Sequence, residues 1–398
     1  MKIIFALLII DFLAFSGYHL TFRSFKLPLF AREFYLKGTE FLFLGLLLGP
    51  HFLNLLDTET LRGLEPVGAL LLGWIGLLFG FQFEIARLRR FPLDFFKAAI
   101  IESFLTFVVV FWSVYLVLPL ISEIPEAMHI VLSLTLSAAA ACTAQTGLAL
   151  LTPDFTARHG KTISILRYVS SIDGLSALLI FSVVFFFRRP SFEGFYWVGD
   201  LALGTVFSLI ISIGLVFLYI VFIASHREEN ELALVVIAMA VLTSGIASLL
   251  HFSPLVANFF VGFCLVNLCR RKERLFKIFV GIEKPVYLLL LVFLGASWTL
   301  DSTWLIVLAA LYCLCRFLGK LFGGFMVTRL NPELRSYPPH LGFGLLDQGG
   351  LPLAILFDFQ QGVSCDIAAG VISLVLLAVI YNEFLGPYLL VRLLKEAK

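Results

Sequence analysis

Nearly the whole chain is a succession of apolar stretches long enough to cross a bilayer. About 30 Å of hydrocarbon takes about 20 apolar residues of helix. The sequence offers thirteen candidates, with approximate limits 3–20, 36–55, 66–84, 95–120, 128–151, 162–187, 197–225, 232–250, 254–268, 278–298, 302–328, 338–360 and 366–391. In hydrocarbon every backbone N–H and C=O must be satisfied inside the protein, which leaves the helix as the spanning element for a pattern like this. The expected fold class is an all-α polytopic membrane protein with about 13 transmembrane helices. Charged residues make up only 14% of the chain and hydrophobic ones 60%, whereas a soluble domain is about 25% charged. This excludes a soluble domain, a disordered chain and a nucleic-acid-binding protein. The opening MKIIFALLIIDFLAF imitates a signal peptide, but no small-residue cleavage pattern follows and many further apolar segments do. It reads as the first span. The loops are short, and no soluble domain is expected at either end. The six cysteines show no zinc or disulfide spacing and read as buried or lipid-facing.

Thirteen is odd, so the termini are expected on opposite sides. Most lysines and arginines fall in the odd-numbered loops and at the C-terminus, while the even-numbered loops hold only Arg62, Arg188 and Arg189. By the positive-inside rule the N-terminus is expected outside and the C-terminus in the cytoplasm of a multi-pass protein of the cell (inner) membrane. The basic run CRRKERLFK at 269–277 reads as part of this orientation signal.

Ionisable groups near mid-bilayer cost at least about 2.5–3.5 kcal/mol each on insertion, and they usually mark a site. Asp173 lies near the middle of the sixth span, with no basic residue within one helical turn. Its partner is expected from another helix, from water or from an ion. Lys320 lies in the eleventh span, and Arg316 is one turn deeper on the same face. Two neighbouring cations repel, so a carboxylate from another span is expected beside them. Arg167 is closer to the cytoplasmic end of its span. Asp11, Glu102, Asp358 and Glu383 read as solvated or cavity-edge groups near span ends.

Two spans are broken by their own residues. The fifth contains Ala141-Cys142-Thr143-Ala144-Gln145-Thr146-Gly147, and the twelfth contains Leu346-Asp347-Gln348-Gly349-Gly350-Leu351-Pro352. Proline removes a donor and clashes with the preceding turn. Unwound backbone at membrane depth is tolerated only where it is buried or lines a cavity. Each break falls in the middle member of a triplet, spans four to six and eleven to thirteen, and the two triplets run in opposite senses. An inverted repeat with two crossed broken helices near the midplane follows.

Several segments resemble the monovalent cation/proton antiporter superfamily, in particular its bacterial branch of sodium/proton exchangers and potassium-efflux antiporters. They are GLLLGPH (45–51), LLFGFQFEIARLRR (77–90), LLHFSPLVANFFVGFCLVN (249–267), FLGKLFGGFMVTR (317–329), LLDQGGLPLAI (345–355) and NEFLGPYLL (382–390). Each is weak alone; six in the right order over nearly the whole chain are strong. The resemblance implies a core transport domain from 95–196 and 302–398, and a dimerisation domain from 1–94 and 232–301, with 197–231 as linker. It implies a homodimer and an elevator-like motion of the core. It also implies that Asp173 binds the ion, with Thr143 of the first break and Lys320 beside it. The sequence departs from the family pattern at Ile172, where an acid or amide is usual, and at Gln82 and Leu351, where acids are usual. With Ile172 in place, a second carboxylate is expected to be missing.

A lone buried carboxylate can couple two ions by competition, since it is neutral when protonated and attracts Na⁺ or K⁺ when ionised. Thr143, Thr146, Gln145 and Gln348 would supply uncharged oxygens, and Asp347 and Arg316 would complete the surroundings. The expected activity is exchange of a monovalent cation for protons, with no cofactor and no enzymatic reaction. An ion-coupled organic-anion transporter with Lys320 and Arg316 as substrate contacts, a cation channel, and a transport-dead sensor on the same fold stay open at this point.

Overall fold

The computed structural model describes residues 8, 38–121, 126–144, 146–187, 212–222, 229–269, 272–298, 303–362 and 366–396. The described residues form helices and no strand. In chain order the helices are α1 (Glu40–Leu48), α2 (Thr58–Gly63), α3 (Glu65–Phe81), α4 (Ile85–Leu88), α5 (Leu93–Ile121), α6 (Glu126–Ala141), α7 (Thr146–Phe187), α8 (Ser212–Phe222), α9 (Glu229–Leu249), α10 (Pro254–Leu268), α11 (Lys272–Ala296), α12 (Thr303–Leu330), α13 (Gly350–Gly362) and α14 (Asp366–Glu396). Two 3₁₀ turns, Pro332–Leu334 and Leu341–Leu345, lie between α12 and α13. Six described helices are long and apolar enough to cross a membrane: Leu93–Leu120, Gly160–Val184, Glu231–Leu249, Lys272–Ala296, Leu305–Leu330 and Ile372–Glu396.

The ends of several helices follow from local chemistry. Ser253 caps α10 by accepting the Val256 N–H at 2.9 Å, and Pro254 opens the first turn, where its missing donor costs nothing. Asp57 caps α2 in the same way.

The helices pack in two groups. One group is α1, α3, α9, α10 and α11; the other is α5, α6, α7, α12, α13 and α14, with α13 also touching α3, α10 and α11. The tightest approach behind the site is between α12 and the Leu341–Leu345 turn. A Cβ added at Gly342 would meet the Lys320 carbonyl oxygen at 2.1 Å and Leu321 Cα at 2.8 Å, both of them backbone atoms that cannot rotate away. Gly342→Ala is therefore expected to cost about 1–3 kcal/mol through overpacking. It would be read as a lower midpoint of thermal unfolding in detergent. The control Gly281→Ala, where nothing lies within 4 Å, is expected to be neutral.

Several expectations need correction. The second half of the fifth span and the sixth span form one helical run, Thr146–Phe187, where a loop was expected around Pro153 and Gly160. Polar residues there mark where the chain leaves the apolar zone, not where its helical hydrogen bonding stops. The first half of the twelfth span is a 3₁₀ turn and not an α-helix. Among the described residues of the second span Glu40–Leu48 is helical, with turns to Leu53. The first span, with Asp11, and much of the seventh lie outside the described residues. Glu102 and Asp358 are each 1% exposed and Glu383 is 8% exposed, so none of the three is solvated at a span end; Asp358 does stand at the edge of a cavity. Each has a buried partner: Lys320 for Glu102, Ser253 for Asp358, and Thr39 for Glu383. Arg167 is exposed. Of the cysteines, Cys142 and Cys315 are buried, Cys264, Cys269 and Cys313 are half-buried, and Cys365 lies outside the described residues.

Candidate functional site

The two breaks meet. After α6 ends at Ala141 the chain runs unwound through Cys142, Thr143 and Ala144, and after the Leu341–Leu345 turn it runs unwound from Leu346 to Gly349. The Ala144 N–H donates to the Asp347 carbonyl at 2.9 Å, tying one unwound strand to the other. A helix that stops inside a protein leaves its last carbonyls unpaired, with the negative end of its dipole facing inward. Two cations from α12 cover those carbonyls. Arg316 Nε donates to Ala140 at 3.0 Å, and its terminal nitrogens donate to Cys142 at 3.0 Å and Leu346 at 2.7 Å, with a longer contact to Leu345 at 3.5 Å. Lys320 Nζ donates to the Ala141 carbonyl at 2.8 Å. The carboxylate expected beside the two cations stands at Lys320, while the hydrogen bonds of the fully buried Arg316 guanidinium go to backbone carbonyls.

Lys320 takes the carboxylates instead. Its Nζ lies 2.9 Å from Asp173 Oδ2 on α7 and 3.1 Å from Glu102 Oε2 on α5, and it donates to Thr143 Oγ1 at 2.9 Å. Lys320 and Asp173 are 0% exposed, so the lysine does not snorkel. Thr143 Oγ1 stands 2.7 Å from Asp173 Oδ2 and 3.2 Å from the Leu345 carbonyl, and its single proton can serve either acceptor. The other carboxylate oxygen, Asp173 Oδ1, is buried and has no hydrogen-bond partner among the described residues. A buried, unfilled acceptor on an anion is costly, and it is the one position here that a proton or a bare cation would satisfy.

The remaining expected residues divide. Gln348 is buried and braces the breaks, donating to the Ala139 carbonyl and to Tyr312 Oη, each at 3.2 Å, and accepting from Asn382 Nδ2 at 2.9 Å. Asp347 is buried where the breaks touch. Thr146 opens α7 through its backbone, and its side chain, like Gln145, is outside the description. The expectation that a second carboxylate is missing is corrected by Glu102, which sequence reasoning missed although one signal for it exists. Gly319 and Gly323 place a small-xxx-small face beside Lys320 on α12, a pattern that draws in a neighbouring helix. The helix that fills it is α5, with Thr106 and Glu102 against those glycines.

A separate cavity of about 680 Å³ lies between the two helix groups, against α3, α9, α10 and α13. Its lining includes Glu65, Ser244, His251, Asp358 and Gln361. Among the described residues no cluster of His, Cys, Asp or Glu of a kind that could hold a metal cofactor is found.

The family described as "Sodium/hydrogen exchanger, transmembrane" matches residues 12–393. Among solved structures, the chain resembles the sodium proton antiporter MjNhaP1 from Methanocaldococcus jannaschii at pH 8. The TM-score is 0.70, with 18% sequence identity and 100% of each chain covered. At that identity the likeness shows a common fold. No curated protein matches the chain significantly.

Proposed function

This chain belongs to the sodium/hydrogen exchanger family, and from that premise we propose that it exchanges one monovalent cation, Na⁺ or K⁺, for protons at Asp173. The observation that carries this reading is the carboxylate itself. It is fully buried between two broken helices, with Oδ2 shared by Thr143 and Lys320 and Oδ1 unfilled. Ionised, Asp173 attracts a cation stripped of water, and Thr143 Oγ1, 2.7 Å from its Oδ2, can replace part of the lost hydration. Protonated, it carries no charge and releases the cation. Lys320 competes with the cation for Oδ2, so a proton, an ammonium and an alkali ion all contend for one group. Arg316 holds the helix ends in place and keeps their partial negative charge from trapping the cation.

Movement of the site is the second part of the proposal. The group containing α5, α6, α7, α12, α13 and α14 would carry Asp173 as a unit against α1, α3, α9, α10 and α11, in an elevator-type cycle. The sparse packing between the groups and the cavity between them support this. The static group would form the homodimer contact. The basic loops would face the cytoplasm, with the N-terminus outside. An organic anion would need free N–H groups on Lys320 or Arg316. Both are occupied by carboxylates and carbonyls, which favours the cation.

The test is proton flux in proteoliposomes over a panel of Na⁺, K⁺, Li⁺ and organic anions. Dissipation of a pH gradient by Na⁺ or K⁺ is expected, and none by the anions. Anion-driven flux, or cation current without proton movement, would replace this reading with a symporter or a channel.

A further inference from the structure

Lys320 has three N–H donors and four acceptors within 3.1 Å: Asp173, Thr143, the Ala141 carbonyl and Glu102. If Asp173 is removed from that set, three donors meet three acceptors. One of the three is a second carboxylate, and its charge alone balances the ammonium. Ile172, the neighbour of Asp173, supplies no such charge. Glu102 is built to stay where it is. Its Oε1 accepts from Thr106 Oγ1 at 3.1 Å, its Oε2 accepts from Lys320, and its stem is packed against α12, where a Cβ on Gly323 would meet Glu102 Cγ at 3.1 Å. Asp173 differs, since one of its oxygens is unfilled.

We propose that Glu102 is the counter-ion that receives Lys320 when a transported cation takes Asp173. This rests on the reading of Asp173 as the exchange site. Without Glu102, a cation entering Asp173 strands a buried ammonium among neutral groups. With it, the lysine shifts its charge from one carboxylate to the other and needs no change in its own protonation. Glu102 is a positioning residue, acting through Lys320. Exchange at Asp173 then carries no net charge.

The experiment is Na⁺/H⁺ and K⁺/H⁺ exchange in proteoliposomes for wild type, Glu102→Gln and Glu102→Asp, each under thiocyanate diffusion potentials of both signs. Wild-type exchange is expected to be independent of the potential. Glu102→Gln is expected to raise the cation KM about ten-fold or more, because a buried charge loses its partner, with the maximal rate much less affected. Glu102→Asp, which keeps the charge, is expected to recover much of the affinity. A lower maximal rate with unchanged KM would mean Glu102 only packs, and the proposal would fall. Wild-type exchange that follows the potential, and loses that dependence in Glu102→Gln, would mean Glu102 carries a transported proton, which also overturns it. If Glu102→Gln does not fold, Glu102→Asp and the wild-type voltage response still decide. Wild type that exchanges no cation for protons would take the Asp173 reading down first, and this proposal with it.

Discussion

Replacing Asp173 by asparagine is expected to abolish proton-coupled cation exchange while leaving the protein folded. Asparagine keeps the shape and loses the charge. A desolvated cation then faces neutral oxygens, and losing the ionic partner of a buried charge costs about 3–5 kcal/mol. That amounts to about two to four orders of magnitude in affinity. The fold survives because Lys320 keeps Glu102 and the Ala141 carbonyl. Dissipation of a pH gradient by sodium or potassium in proteoliposomes reads the first effect, and thermal unfolding in detergent reads the second. An Asp173→Asn protein that exchanges as fast as wild type would remove the carboxylate from the mechanism.

Lys320→Gln is expected to cost stability as well. This change strands two carboxylates, Asp173 and Glu102, that are 0% and 1% exposed. It also weakens the cover on the unpaired end of α6. The expected loss is about 3–5 kcal/mol, visible as a midpoint of thermal unfolding lowered by about 4–6 °C. Lowering the pH should recover part of the loss, because protonated carboxyl groups need no counter-ion. Adding Glu102→Gln should do the same, since it removes one of the stranded charges. A double variant less stable than Lys320→Gln alone would contradict the pairing, because partners in direct contact are not additive.

Residues in the sequence that break an apolar pattern were the readable ones. Asp173 stands out because an isolated acid in mid-span has few structural uses. Thr143 and Gln348 stand out because breaks in a membrane helix have to be buried. The two breaks do approach, with Ala144 and Asp347 joined through their backbones. Glu102 was missed because its signal is indirect. Depth counted along one helix gives neither its tilt nor the face it turns inward, and those depend on how α12 presents Gly319 and Gly323 to α5. The carboxylates expected beside Arg316 and Lys320 are present, but the direct partners of Arg316 were not readable. Charge pattern suggests charged partners, whereas the carbonyls that Arg316 covers belong to no side chain. The run Thr146–Phe187 shows the same limit at the level of secondary structure, because hydropathy locates the membrane and not the helix ends.

The central claim is that one buried carboxylate gives up its proton to take a cation. It is tested most directly by adding sodium or potassium chloride to purified protein in weakly buffered detergent, at a pH where the empty site is protonated. Proton release is then recorded against bound cation. The account predicts about one proton released for each cation bound by wild type, and none from Asp173→Asn. Cation binding to wild type with no proton released, or undiminished release from the Asp173→Asn variant, would contradict it.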